Sequence, residues 1–249
     1  MLTKDDAICI RAVDYSETSQ VVTFFTRASG KVATIAKGAK RPKSAFEGPL
    51  EVCSFGRIVF SDSSRSSLAT LTEFEGDYRA PAFVRIADDL FALNCCLFAA
   101  ELVDALTDDY DPHPALFDAF LNLLCSVKNH GSNKSRRLAL LIRFELALLR
   151  EIGLKPVFDT CANCSSAFGP KWPCSFFSSA ANGLICMDCE NAFPDRIKIA
   201  KSSAACLKNP GIISEAAEPV IHEIQKLLVH HFTQMLNRPP KMAKYVLPK

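Results

Sequence analysis

The stretch Gln20-Val21-Val22-Thr23-Phe24-Phe25-Thr26-Arg27-Ala28-Ser29-Gly30-Lys31-Val32-Ala33-Thr34-Ile35-Ala36-Lys37 decides how the N-terminal part of the chain is read. Gln20 to Thr26 is rich in β-branched and aromatic side chains, as a strand requires. Arg27-Ala28-Ser29-Gly30 reads as a turn, and Lys31 to Lys37 alternates with the period of two that marks a half-buried strand. Upstream, Ala7-Ile8-Cys9-Ile10-Arg11-Ala12-Val13 is a further strand-like run. It is set off by the turn-like break Asp14-Tyr15-Ser16-Glu17. Downstream, Leu50 to Phe60 and Ser67 to Phe74 add two more strands around the polar turn Ser61-Asp62-Ser63-Ser64. Five short strands in about eighty residues predict a small barrel, for which the oligonucleotide-binding (OB) barrel is the natural candidate.

The pattern changes at Asp77-Tyr78-Arg79-Ala80-Pro81. From Phe83 to Leu106 the apolar residues Ile86, Leu90, Leu93, Leu97, Leu102 and Leu106 recur at helical spacing. Pro114 stands where a first helical turn tolerates it, opening a helix to Val127. Ser135 is the expected cap of a helix from Arg136 to Ile152 that Gly153 ends, and Ser214 to Asn237 reads as a last helical region. A chain of 249 residues accommodates two or three such units. The expected architecture is α+β and multidomain. An OB-fold barrel over residues 1–80 precedes an α-helical domain over 81–249, with a four-cysteine zinc finger inserted at about 157–193.

That finger is read from Cys161-x2-Cys164 and, 21 residues on, Cys186-x2-Cys189. Each Cys-x-x-Cys turns two thiolates to one side of a knuckle, and two knuckles make the tetrahedral sulfur site that suits one structural Zn2+. Gly183 stands three residues before Cys186, where a tight turn is useful. Few residues between 155 and 193 offer a core, so the metal would stabilise this unit directly. Cys174, between the pairs, reads as packing. Cys9, Cys53, Cys95, Cys96, Cys125 and Cys206 read as small core hydrophobes. Four thiolates leave no open position for a catalytic water.

Net charge is only +2, but its distribution is uneven. No acid lies between Glu17 and Glu47, a window holding Arg27, Lys31, Lys37, Lys40, Arg41 and Lys43. Four of these sit in Lys37-Gly38-Ala39-Lys40-Arg41-Pro42-Lys43, a loop suited to phosphate contacts at a barrel edge. Phe24, Phe25, Phe46 and Phe55 lie near it. One or two of them could stack on bases, the rest being core. Lys128 to Arg143 and Lys226 to Lys249 also lack acids. The phosphate-binding loop pattern is missing at Lys37-Gly38-Ala39-Lys40 and at Ser29-Gly30-Lys31, and there is no Ser/His/Asp set. His230 and His231 point to different faces of a helix and read as solvated or core-edge. The chain is therefore read as a non-enzymatic protein. No apolar run is long enough to span a membrane and the charged start lacks the core of a signal peptide, so a cytoplasmic location with largely reduced thiols is expected.

These features in this order resemble the RecO family of bacterial recombination mediators, which act in DNA repair. The matching stretches are Ala7-Ile8, Asp14-Tyr15-Ser16-Glu17-Thr18, Phe25-Thr26-Arg27 with Gly30-Lys31, and Ala36 to Ser44. Further along they are Arg143-Phe144-Glu145-Leu146-Ala147-Leu148-Leu149 with Gly153 and Pro156, the cysteine pairs with Phe177, Gly183 and Leu184 between them, and Asn237-Arg238-Pro239-Pro240-Lys241. The resemblance implies binding to single- and double-stranded DNA and annealing of complementary strands. It implies work with RecR, and in some pathways RecF, to load RecA onto DNA coated by single-stranded-DNA-binding protein, and hence association with the nucleoid. It also implies that the acidic, apolar C-terminal tail of that coating protein docks on the helical domain, where Arg136, Arg137 or Arg143 could meet its carboxylates. Some family members lack the zinc cysteines. Lys40 replaces an arginine often found in the loop, keeping charge and losing bidentate geometry. The competing readings are a zinc-ribbon adaptor for RNA or a protein partner, and an enzyme built on zinc or a Cys-x-x-Cys redox couple.

Overall fold

The computed structural model describes residues 2–41, 44, 46, 48–61, 68–77, 89–127 and 133–247. The expected turn residues Asp62, Ser63 and Ser64, the helical start from Phe83 to Ile86, and Lys43 lie outside these. Five strands, β1 (Leu2–Asp14), β2 (Gln20–Thr26), β3 (Gly30–Ala36), β4 (Phe55–Ser61) and β5 (Ala69–Gly76), close a barrel in the order β1-β2-β3-β5-β4. All neighbouring pairs are antiparallel except β3 with β5, and β1 is long enough to pair with both β2 and β4 and so complete the closure. Register shifts at Cys9/Arg11 and Val59/Phe60 bend the strands as a small barrel requires. The expected OB-like barrel is present.

Alternation fills the inside. Val22, Phe24, Val32, Ala36, Ile58, Phe60 and Leu71 form its buried cluster. Full burial of a side chain such as Phe24 contributes roughly 2–3 kcal/mol. Ile8, Ile10 and Phe25 lie outside this cluster yet are buried as well. Their cover comes from α1 (Leu90–Leu106) and α2 (Pro114–Ser126). Phe117 of α2 packs its ring 6.1 Å from Phe25 and 6.3 Å from Phe55. Asp89 caps α1 by accepting from the Phe91 and Ala92 amides, and Pro114 occupies the first turn of α2. The first compact unit therefore runs from Met1 to Gly131. That is later than the expected boundary near residue 80, because the barrel's outer apolar face needs these helices.

The second unit runs from Ser132 to Lys249. Its helix α3 (Lys134–Glu151) is capped by the Asn133 side chain, which accepts from the Arg136 amide, and not by Ser135. Gly153 takes φ +75° and its N–H reaches Arg150 O at 3.1 Å, ending α3 as expected. Three short strands, β6 (Ser175–Ser178), β7 (Gly183–Ile185) and β8 (Ile197–Ile199), form a sheet in the order β7-β6-β8. Helices α4 (Lys201–Lys208), α5 (Glu218–Leu236) and α6 (Ala243–Val246) follow, and α5 packs on α3. Asn237 ends α5 in the left-handed conformation. The cysteine-bearing region is richer in core than its sequence suggests, since Phe158, Trp172, Phe176, Phe177, Leu184 and Ile185 are all buried.

Two buried polar groups join that core. His231 of α5 sits edge-on to Phe177 with ring centroids 5.3 Å apart, and its Nδ1 lies 3.1 Å from Ser179 Oγ. Burial, helped by the neighbouring His230, pushes its pKa down to about 4. His231 is thus a neutral core residue, not the solvated or core-edge group expected. Glu145 of α3 is fully buried and accepts from Gln225 Nε2 of α5 at 2.8 Å. Burial raises its carboxyl to about 8, against which the Gln225 bond works in the opposite direction. Glu145 Oε2 and Gln225 Oε1 are both buried without a partner. A protonated Glu145 spares the cost of an ionised carboxylate in this buried place.

Candidate metal centre and nucleic-acid interface

The four cysteines come from two differently built turns. In the first, Cys161 N–H donates to Ser166 O at 2.8 Å and Ser165 N–H returns to Cys161 O at 2.9 Å, with Ser165 at φ +61°. In the second, β7 delivers Cys186, and a 3₁₀ turn over Met187–Ala192 carries Cys189, whose N–H reaches Cys186 O at 3.1 Å. The Sγ atoms of Cys161, Cys164, Cys186 and Cys189 all lie within 4.8 Å of one another. Cys164 and Cys186 are 3.8 Å apart at sulfur. Tetrahedral bonds of about 2.3 Å would place ligand sulfurs about 3.8 Å apart. The set can therefore hold a metal ion with little rearrangement.

Amide donors prepare the sulfurs for negative charge. Cys186 N–H points at Cys161 Sγ at 3.4 Å, and Asn163 Nδ2 at Cys189 Sγ at 3.3 Å. At Cys161 burial alone would raise the pKa, but backbone donors from Cys164, Cys186 and Asn163 outweigh it and bring the thiol down to about 7. Burial and the Cys189 thiol push Cys186 up to about 12. A bound cation would favour the deprotonated form of all four thiols.

Gly183 serves this site differently from the expected turn. A Cβ there would fall 2.6 Å from Val157 O, so glycine is needed for close backbone approach. Asn182, at φ +50°, makes the turn. Val157 and Leu184 N–H bonds then tie the approach strand to β7. Cys174 is half-buried and outside the quartet, as are the buried Cys9, Cys53, Cys95, Cys96 and Cys206 and the half-buried Cys125.

The candidate nucleic-acid residues separate into two groups at opposite ends of the barrel. Arg27 and Lys31 flank the β2–β3 turn. Arg27 makes a two-pronged contact with Asp118 of α2, Nη2 to Oδ2 at 2.9 Å, and its guanidinium lies 5.9 Å from the Phe117 ring centroid. Lys31 Nζ donates to Asp104 O at 2.8 Å and Thr107 O at 2.7 Å, with Asp109 Oδ1 at 3.6 Å, and its side chain is only 12% exposed. Those carbonyls close the C-terminal end of α1, where a cation is favoured by the helix dipole.

At the other end, the chain leaves β3 into Lys37-Gly38-Ala39-Lys40-Arg41 beside the β1–β2 turn. Lys37 and Arg41 are exposed with no ion pair among the described residues, and Lys40 pairs with Asp14 at 2.7 Å. Ala39 is fully buried and anchors the loop, and Gly38 takes φ +74°. Lys40 N–H to Thr18 O, at 3.1 Å, and Gly38 N–H to Ser19 Oγ, at 3.3 Å, bind it to the neighbouring turn. The aromatic residues suggested as stacking groups are taken up elsewhere. Phe24, Phe25 and Phe46 are buried, and Phe55 is half-buried against Phe117.

The family model described as Recombination protein O N terminal matches residues 1–76, and Recombination protein O C terminal matches residues 87–244. The chain belongs to the RecO family. DNA repair protein RecO of Halalkalibacterium halodurans is 32% identical over 209 residues, which cover 84% of this chain and 77% of that protein. DNA repair protein RecO of Bacillus subtilis is 32% identical over 84% of this chain and 76% of its own length, and that of Anaeromyxobacter dehalogenans 32% over 86% and 82%. The two matched RecO regions meet between residues 76 and 87, close to the end of β5, whereas spatial compactness places α1 and α2 with the barrel. Among the described residues, no helix is long and apolar enough to cross a membrane.

Proposed function

We propose that this RecO family protein is a recombination mediator without bond-making chemistry of its own. It binds single- and double-stranded DNA at the free basic end of the barrel and anneals complementary strands. With RecR, and in some pathways RecF, it loads RecA onto DNA coated by single-stranded-DNA-binding protein. The observation that carries this reading is the contrast in charge use. Lys37 and Arg41 remain uncommitted at one end, while Arg27 and Lys31 are consumed by internal contacts at the other. The DNA contacts proposed are accordingly Lys37, Lys40, Arg41 and Lys43. Phosphate contacts are blind to sequence, which suits a repair factor.

The ion proposed for the cysteine quartet is a single structural Zn2+, because four thiolates are the donor set zinc favours and leave it no open position. When bound it ties the 161–164 turn to the end of β7. The tail of the coating protein is proposed to dock on the second unit. Arg136 and Arg143 are exposed on α3 and two turns apart on one face, while Arg137 is buried, so the first two are the ones offered to its carboxylates.

The test is annealing of complementary strands coated with single-stranded-DNA-binding protein, with and without RecR. Acceleration by this protein, lost when Lys37, Lys40, Arg41 and Lys43 are replaced together by Glu, is the expected result. Equal rates with and without the protein would contradict the reading.

A further inference from the structure

Tyr15 is the most exposed aromatic residue described, at 67%, and it stands on the turn that is bonded to the basic loop. That turn is stiff. Tyr15 N–H donates to Ser19 O at 2.9 Å, Ser16 N–H to the same oxygen at 3.2 Å, and Ser19 N–H to Ser16 Oγ at 3.1 Å. Two further bonds, Lys40 N–H to Thr18 O and Gly38 N–H to Ser19 Oγ, fix it to the loop. An apolar ring left in water on a rigid support loses little freedom when something covers it.

The strand surface beside it is also apolar. Val13, 48% exposed, pairs with Val21, and Val21 pairs with Ile35. Val21 and Ile35 are half-buried, and the three form a row across β1, β2 and β3 at the end of the barrel that carries the β1–β2 turn. Arg11 is exposed two residues before Val13. Glu17 is exposed on the turn and disfavours phosphate there, which leaves the backbone of a strand to the Lys37–Arg41 side.

We infer that Tyr15 stacks on an unpaired base, with the Val13–Val21–Ile35 row beneath the neighbouring base, so that this end of the barrel reads single strands as well as phosphate charge. The inference rests on the proposal that the Lys37–Lys43 loop binds DNA. A duplex keeps its bases stacked on each other and offers Tyr15 no face, so the ring favours single strands selectively.

The experiment measures affinity by fluorescence anisotropy at one moderate salt concentration, for an oligothymidine and for a duplex of equal length. Tyr15→Ala is expected to weaken the single strand about tenfold and the duplex by less than about twofold, while Tyr15→Phe keeps both. Tyr15→Trp should show emission quenched by oligothymidine beyond any change in the parent protein. Unchanged oligothymidine affinity in Tyr15→Ala, equal losses on both DNAs, or an unquenched Tyr15→Trp would overturn the inference. The loop variant separates the two readings. If Lys37→Glu/Lys40→Glu/Arg41→Glu loses both DNAs and Tyr15→Ala loses neither, the stacking fails alone. If the loop variant loses neither, the loop reading fails with it.

Discussion

Both ends of the barrel carry basic residues and put them to opposite uses. At the β2–β3 turn, Arg27 and Lys31 face helices α1 and α2 and the segment joining them, which bring Asp118, Asp109 and two carbonyl oxygens to meet them. At the β1–β2 turn Lys37 and Arg41 are exposed, with no ion pair among the described residues. The difference teaches that a basic residue on a strand edge is an interface residue only where the fold leaves it uncovered. A cation with three oxygens around it holds the molecule together, and would have to abandon them before it could serve a phosphate.

The largest effect expected at the covered end is on folding. A Cβ on Gly30 would fall 2.5 Å from the Asp111 backbone, and Gly30 sits at φ +72°. Gly30→Ala should therefore cost about 3 kcal/mol in chemical denaturation by both clash and strain. A loss below about 1 kcal/mol would mean that the 108–111 segment is not docked there.

The second unit offers the contrasting case of a buried carboxyl without a cationic partner among its contacts. A carboxyl whose folded pKa is raised binds its proton more tightly when folded. Glu145 therefore contributes stability that is complete below about 4.5 and is lost as pH rises toward 8. Raising the pH from 5 to 7 should cost about 2 kcal/mol more in the parent than in Glu145→Gln. Parallel pH curves for the two proteins would show that Glu145 is ionised in place.

Lys31→Met keeps the stem and removes the donor from Asp104 O and Thr107 O. A loss of about 1–2 kcal/mol in stability is expected, with DNA affinity unchanged at constant salt. An affinity loss without a stability loss would return Lys31 to the DNA surface. The smallest effect on DNA is expected from metal removal. Chelation should raise amide exchange between about 157 and 199 and leave oligonucleotide affinity within about twofold. A large fall in affinity would place DNA contacts near the cysteines.

Much of this was legible in the chain. Strand alternation from Ala7 to Phe74 carried the barrel, and the spacing of Cys161, Cys164, Cys186 and Cys189 carried the metal site, because both signals are local. The internal contacts of Arg27 and Lys31 were not legible, because their partners lie 73 to 91 residues away in sequence. The expected division near residue 80 falls between the two matched family regions, whereas the extension of the first compact unit to Gly131 was not legible, as the need of Ile8, Ile10 and Phe25 for cover shows only once the barrel is closed. Gly183 looked like a turn residue and is a contact with Val157 backbone. His231 looked exposed because a helix pattern does not tell which side Phe177 will fill. Tyr15 reads as a turn residue in the sequence, and its 67% exposure beside the bonded basic loop shows only in the fold.

The contrast between the ends is tested most directly by the salt dependence of oligonucleotide affinity in two neutralised variants. Lys37→Gln/Lys40→Gln/Arg41→Gln should lower the slope of log affinity against log salt by about two to three, roughly one for each phosphate no longer neutralised. Arg27→Gln should leave that slope as it is in the parent. An unchanged slope in the triple variant, or an equal fall in Arg27→Gln, would contradict the division of charge between the two ends.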